Sequence, residues 1–238
     1  MCVLDIDFLC DIIIIQVDEK INLWRCLMKI FIVGTGRVAK CVIEKLTAAG
    51  HTVYCGSRHL DNITETDNCK PVFFDLHAEK YEIEKHINGV DAVYFLAGSR
   101  GKDLLQTDAF GAVKLMQASE KVGIKRFIML SSIFALEPEK WAQEQSLQNI
   151  TNYNIAKFFA DNYLVNCTSL DYTVIQPSIL KEETGTGMIE IDPEHDKSNP
   201  TPDVAEVLCS VLKRENTFKK VIKMRGGNTP IDTALANI

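Results

Sequence analysis

From Met28 onward, short unbroken apolar runs alternate with longer stretches of helical period. The runs are Ile30–Val33, Thr52–Cys55, Val72–Phe74, Ala92–Leu96, Phe127–Leu130 and Thr173–Ile175. Apolar runs with no polar alternation belong to strands buried on both faces, the habit of parallel sheets. Between them the spacing predicts helices over 37–49, 78–87, 104–122 and 150–166, and Gly50 and Gly123 stand where helices stop. The expected fold is α/β, a Rossmann-type doubly wound parallel sheet with helices on both faces. After Pro177 the chain turns polar and loop-like (KEETGTGMIEIDPEHDKSNPTPD). A last helix near Val204–Arg214 and a strand near Lys220–Met224 close it, giving a small C-terminal substrate region.

A chain of 238 residues suffices for one well-buried domain, expected here over 28–238. Residues 1–27 read as an N-terminal extension or a misassigned start. Their apolar stretch FLCDIIIIQV is broken by Asp11 and ended by Asp18-Glu19-Lys20, well short of the ~20 residues of a membrane span. They also lack the basic start and small-residue cleavage site of a signal peptide. No membrane partner is therefore expected. The net charge of -6 argues against a nucleic-acid partner, which needs a basic face. Eight cysteines without a C-x-x-C pair or Cys/His ligand spacing read as reduced, mostly buried thiols of a cytoplasmic protein, with no metal site. The pattern is equally compatible with a monomer and a homodimer.

The chemistry begins in KIFIVGTGRVAK, residues 29–40. Gly34-x-Gly36-x-x-Ala39 follows a strand and opens a helix, the setting a dinucleotide fingerprint requires. Gly34 permits the tight turn, Gly36 lets backbone approach a pyrophosphate, and Ala39 is small enough for close strand–helix packing. Gly34, Thr35, Gly36, Arg37 and Val38 are thus the expected phosphate-binding turn, with the free N–H groups of the helix start facing the phosphates. About 20 positions on, NAD binders carry a carboxylate for the ribose hydroxyls. Here that region reads Cys55-Gly-Ser-Arg-His59. A guanidinium at Arg58 suits a 2′-phosphate, with Arg37 in support, so NADP(H) is expected in preference to NAD(H).

Tyr153-Asn-Ile-Ala-Lys157 puts a phenol and an ammonium one above the other on a helix face. The ammonium is expected to favour the phenolate and make Tyr153 a proton shuttle near neutral pH. A second copy of the spacing, Tyr81-Glu-Ile-Glu-Lys85, falls between the third and fourth strands and reads as a solvated helix face. Tyr153 instead follows the fifth strand, whose end delivers Ser131 and Ser132 to the edge where such sheets bind ligands. Ser132, Tyr153 and Lys157 form the expected catalytic constellation.

With these motifs the chain resembles the atypical and extended short-chain dehydrogenase/reductases, a group that includes NmrA-like and sugar-epimerase-like proteins. IFIVGTGRVAK, CGSR, Phe74-Asp75-Leu76, Leu96-Ala-Gly-Ser99, Asp108-Ala-Phe-Gly-Ala112, KRFIMLSS, YNIAK and Ile175-Gln-Pro177 carry the likeness. The resemblance implies that Asp75 and Leu76 flank the adenine and that Ala97 and Gly98 line the cofactor. It implies further that Ser132 orients the substrate oxygen, Tyr153 transfers the proton, Lys157 holds the nicotinamide ribose, and Pro177 and Ser178 lie beside the nicotinamide. Two departures stand out. The glycine turn is one residue shorter than the family's usual G-x-x-G-x-x-G, and Asp108 occupies a position where many relatives have asparagine. The leading expectation is an oxidoreductase acting on a small carbonyl or alcohol. An epimerase or dehydratase using the same trio, a non-catalytic NADP(H) sensor and a Rossmann module without cofactor are the alternatives. Substrate choice would lie with Ser99–Gln106 and Leu180–Pro202, where Glu194 and His195 read as a solvated loop.

Overall fold

The computed structural model describes residues 27–238, and the expected N-terminal extension, apart from Leu27, lies outside the described residues. A nine-stranded sheet forms the middle layer, in the order β3-β2-β1-β4-β5-β6-β10-β8-β11. Its strands are β1 (Lys29–Val33), β2 (Thr52–Ser57), β3 (Cys69–Phe73), β4 (Ala92–Phe95), β5 (Arg126–Leu130), β6 (Asp171–Pro177), β8 (Met188–Ile191), β10 (Lys220–Gly226) and β11 (Thr229–Pro230). From β3 to β10 all pairings are parallel, with Ile30 beside Val53 on one side and Ala92 on the other. β8 and β11 add an antiparallel edge.

β1 shows why the sheet demands two covering layers. Ile30 and Ile32 join one apolar cluster while Phe31 and Val33 join another, and all four are buried. One face is covered by α1 (Arg37–Ala48), α7 (Thr201–Ser210) and α8 (Ile231–Ala236), through Val42, Leu46, Val204, Leu208 and Leu235. The other is covered by α2 (Lys80–Ile87), α3 (Phe110–Lys121) and α6 (Thr151–Cys167), through Ile83, Leu115, Met116 and Leu164. Two one-turn helices, α4 (Pro138–Trp141) and α5 (Gln145–Gln148), precede α6 and enclose a small cluster of Ile133, Phe134 and Leu147.

The structure departs from the pattern in three places. The helix expected over 104–122 is two elements: a π-helical turn, Leu104–Ala109, runs into α3. The wider turn rotates Asp108 inward, fully buried, and leaves Leu105 76% exposed. The third strand lies earlier than the apolar run because its edge position suits Lys70 and Pro71, which a central strand would not. The polar stretch after Pro177 is ordered as well. Within it β7 (Ile179–Lys181) pairs with β9 (Ser198–Pro200), and β8 joins the main sheet. Asp203 makes this possible by accepting bonds from Thr186 N, Thr186 Oγ1 and Gly187 N at 2.8–3.0 Å.

Candidate functional site

At the carboxyl ends of β1, β2 and β4 lies a cleft of about 520 Å³. Gly34, Thr35, Gly36, Arg37 and Val38 line one wall; Arg58, Asp75, Leu76, Ala97 and Gly98 line the others. Gly34 has a φ of +109° and its backbone touches that of Ala97, so the turn is closed against β4. Gly36 is the opposite case. A side chain there would meet nothing within 4 Å, which leaves the backbone open to a ligand. α1 begins without a side-chain cap or an acidic residue in its first turn, so its leading N–H groups remain available for phosphate oxygens. The shortened turn thus leaves an open cradle at the helix start, and the residues present fit a dinucleotide.

The two arginines differ. Arg37 is held by Glu182, just past β7, at 2.8 Å. Arg58 lies exposed at the end of β2, lines the cleft and makes no ion pair among the described residues. Ser57 Oγ lies 3.3 Å from Thr35 Oγ1 and accepts the backbone N–H of His59, which fixes the segment leading out of β2. Asp75 Oδ1 accepts the backbone N–H of His77 and shapes the turn after β3 that lines the cleft.

Ser132, Tyr153, Lys157 and Pro177 are not among the residues lining this cleft, which reaches Thr107 and Leu130. On α6, Tyr153 is half-buried and Lys157 is 2% exposed, with the ammonium 5.6 Å from the Tyr153 ring centre. Lys157 Nζ donates to Leu130 O at 3.3 Å and stands 4.0 Å from Asp108 Oδ1. Ser132, two residues past Leu130, is buried at the end of β5. Pro177 ends β6 beside it, and its carbonyl accepts the N–H of Ile133. The expected shift of Tyr153 toward phenolate does not occur. Burial pushes its phenol up; Lys157 opposes that rise, and the carboxylates of Asp108 and Asp161 add to it.

The second copy of the spacing stands on open surface. Tyr81 is 57% exposed, its ring 4.7 Å from Lys85 Nζ, and Lys85 pairs with Glu82. Glu194 and His195 are exposed, as expected of a solvated loop, yet their segment is tied down. His195 Nδ1 lies 2.9 Å from Glu144 Oε1, Lys140 donates to the carbonyl of Glu194, and Ser146 bonds Asp196. These contacts strap the connection between β8 and β9 onto α4 and α5. Cys55 and Cys69 are buried thiols 3.4 Å apart, Cys41 and Cys209 are half-buried, and Cys167 is exposed.

Asp161 is the site residue that the motifs do not announce. It lies one helical turn beyond Lys157, fully buried, and accepts bonds from Ser131 Oγ at 2.7 Å and Gln176 Nε2 at 2.8 Å. Its only signal in the sequence is a third ionisable residue on the Tyr153–Lys157 stripe.

The NAD(P)H-binding family profile matches residues 34–215, spanning both the glycine turn and α6. The chain belongs to that family. The oxidoreductase ylbE of Lactococcus lactis is 45% identical and superposes with a TM-score of 0.85 over 89% of this chain and 96% of its own. UPF0659 protein YMR090W of Saccharomyces cerevisiae is 32% identical over 89% of this chain and 99% of its own. A Bacillus subtilis protein named uncharacterized sugar epimerase YhfK is 30% identical over 89% and 100%. The family brings together Rossmann-fold NAD(P)-binding oxidoreductase-like and epimerase-like proteins, as the resemblance implied. No helix among the described residues is long and apolar enough to cross a membrane.

Proposed function

We propose that the chain is an NADP(H)-dependent oxidoreductase that reduces a small carbonyl compound or oxidises the corresponding alcohol. The observation that carries this reading is the placement of Tyr153 and the buried Lys157 beside the ends of β5 and β6, on the same sheet edge as the cradle. Bound in the cleft, NADP(H) supplies or accepts the hydride. Gly36 and the start of α1 hold the phosphates, and Arg58 recognises the 2′-phosphate. Lys157 holds the nicotinamide ribose, and Ser132 orients the substrate oxygen. A phenol pushed up by burial stays protonated near neutral pH, so Tyr153 acts as an acid that gives its proton to the carbonyl oxygen.

The test is NADPH oxidation over a panel of small carbonyl compounds, with nucleotide titration of each variant. Tyr153→Phe should lower turnover ~10²–10⁴-fold and leave cofactor affinity nearly intact, because only the transferring hydroxyl is lost. Lys157→Ala should damage both, and Tyr81→Phe neither. Full activity in Tyr153→Phe would place the acid elsewhere. A second reading, epimerase, draws on the name carried by the B. subtilis relative. It is distinguished by a cofactor that co-purifies with the protein and returns to its starting redox state after each turnover.

A further inference from the structure

The ionisable groups of the site are unequal in number. One buried ammonium, Lys157, is faced by two buried carboxylates, Asp108 and Asp161. Asp108 lies 4.0 Å from the ammonium and also accepts the N–H of Ser99, beside the cofactor-lining Gly98. Asp161 has a different set of partners. Its Oδ2 gathers the side chains of Ser131, at the end of β5, and Gln176, next to last in β6, while Oδ1 has no partner. The carboxylate therefore pins α6 to the ends of the two strands that present Ser132 and Pro177.

We propose that Asp161 is a positioning residue: its ionised carboxylate sets α6 against β5 and β6 and so fixes the Lys157 ammonium for the cofactor. The inference rests on the assignment of Lys157 to the nicotinamide ribose made above. Two donated hydrogen bonds to one oxygen are strong only while that oxygen is anionic. A neutral carboxyl leaves both weaker and leaves the ammonium with Asp108 alone. Among the described residues, the charged and titratable groups facing Asp161 are Lys157 and Tyr153 from its own helix, and Asp108 of the π-helical turn faces that same ammonium. β5 and β6 face it with Ser131 and Gln176, neither of which titrates near neutrality. Burial pushes its carboxyl up to about 6, within reach of ordinary buffers, against the opposing bonds from Ser131 and Gln176.

The experiment titrates NADP+ against wild type, Asp161→Asn and Ser131→Ala from about pH 8 to about pH 5. The ligand's 2′-phosphate titrates identically in all arms and cancels from their ratios. Wild type should bind about tenfold more tightly than Asp161→Asn at the alkaline end, the scale of one charged hydrogen bond, and the ratio should fall toward one at the acid end. A purely structural loss would lower affinity by the same factor throughout. Ser131→Ala keeps the carboxylate and removes one stabilising donor, so its affinity step should move to higher pH; it serves if Asp161→Asn fails to fold. A constant wild-type-to-Asn ratio, or a Ser131→Ala profile superimposable on wild type, overturns the proposal. Failure of wild type to bind NADP+ at any pH instead overturns the cofactor assignment, and this inference falls with it.

Discussion

A methyl group added at Gly34 would sit 2.7 Å from the backbone nitrogen of Ala97, at a φ of +109° where only glycine rests comfortably. Two positions later the same change meets open space. Gly34→Ala should therefore cost ~2–4 kcal/mol of stability through strain and displacement of the Leu96–Ala97 segment that leaves β4. Gly36→Ala should melt like wild type but lose dinucleotide affinity; chemical denaturation paired with ligand titration separates the two. Arg58→Ala should erase ten- to hundredfold of NADP(H) preference over NAD(H), the ~1.5–3 kcal/mol of a charge-assisted contact. Equal affinities for the two nucleotides in wild type would refute the preference. Asp161 offers a stability test as well. Its carboxyl rises from the ordinary 3.8 to about 6, so the folded state binds the extra proton and this group favours folding more at low pH. Wild-type stability measured relative to Asp161→Asn should fall as pH climbs from about 4 to about 6, then level off. Urea melts across that window decide it; a difference independent of pH would mean the carboxyl titrates normally. The glycines were legible in the sequence because their spacing has one dominant use. Asp161 was not, since an acid on a helix is ordinarily solvated and only the tertiary packing of β5 and β6 buries it.

At the scale of elements, the apolar runs located β1, β2, β4, β5 and β6 closely, because strands buried on both faces leave no room for polar residues. The π-helical turn escaped the pattern: a period of 3.6 carried through 104–122 looks continuous, and one widened turn changes a single residue's facing. The strands after Pro177 escaped for another reason. β7, β8 and β9 are short, and side chains such as Asp203 and Arg225 secure the region where apolar periodicity is weak. The strap between β8 and β9 makes an element-scale prediction. Glu144→Ala removes the partners of His195 and of the Asp196 N–H, so amide exchange across 194–198 should quicken by at least tenfold. The sheet strands should keep their protection. Unchanged exchange in that stretch would assign the ordering to Lys140, Ser146, Ser178 and Arg225.

The whole molecule is closed by one side chain. Arg126, at the start of β5 and 5% exposed, donates to the carbonyls of Asp171, Val211 and Leu212 at 2.6–2.9 Å. Its hydrogen bonds all go to backbone contributed 45 to 86 residues later, and its guanidinium lies 4.2 Å from the centre of the Phe218 ring. On a ribosome, which releases the chain at ~5–20 residues per second, β5 emerges long before any of these acceptors exists. Until residues 211 and 212 follow α7, a sheet assembled from β1 to β5 leaves this guanidinium to water. The lock that joins β5 to the start of β6 and to the turn after α7 therefore closes late in synthesis, and its last two acceptors, Val211 and Leu212, arrive together.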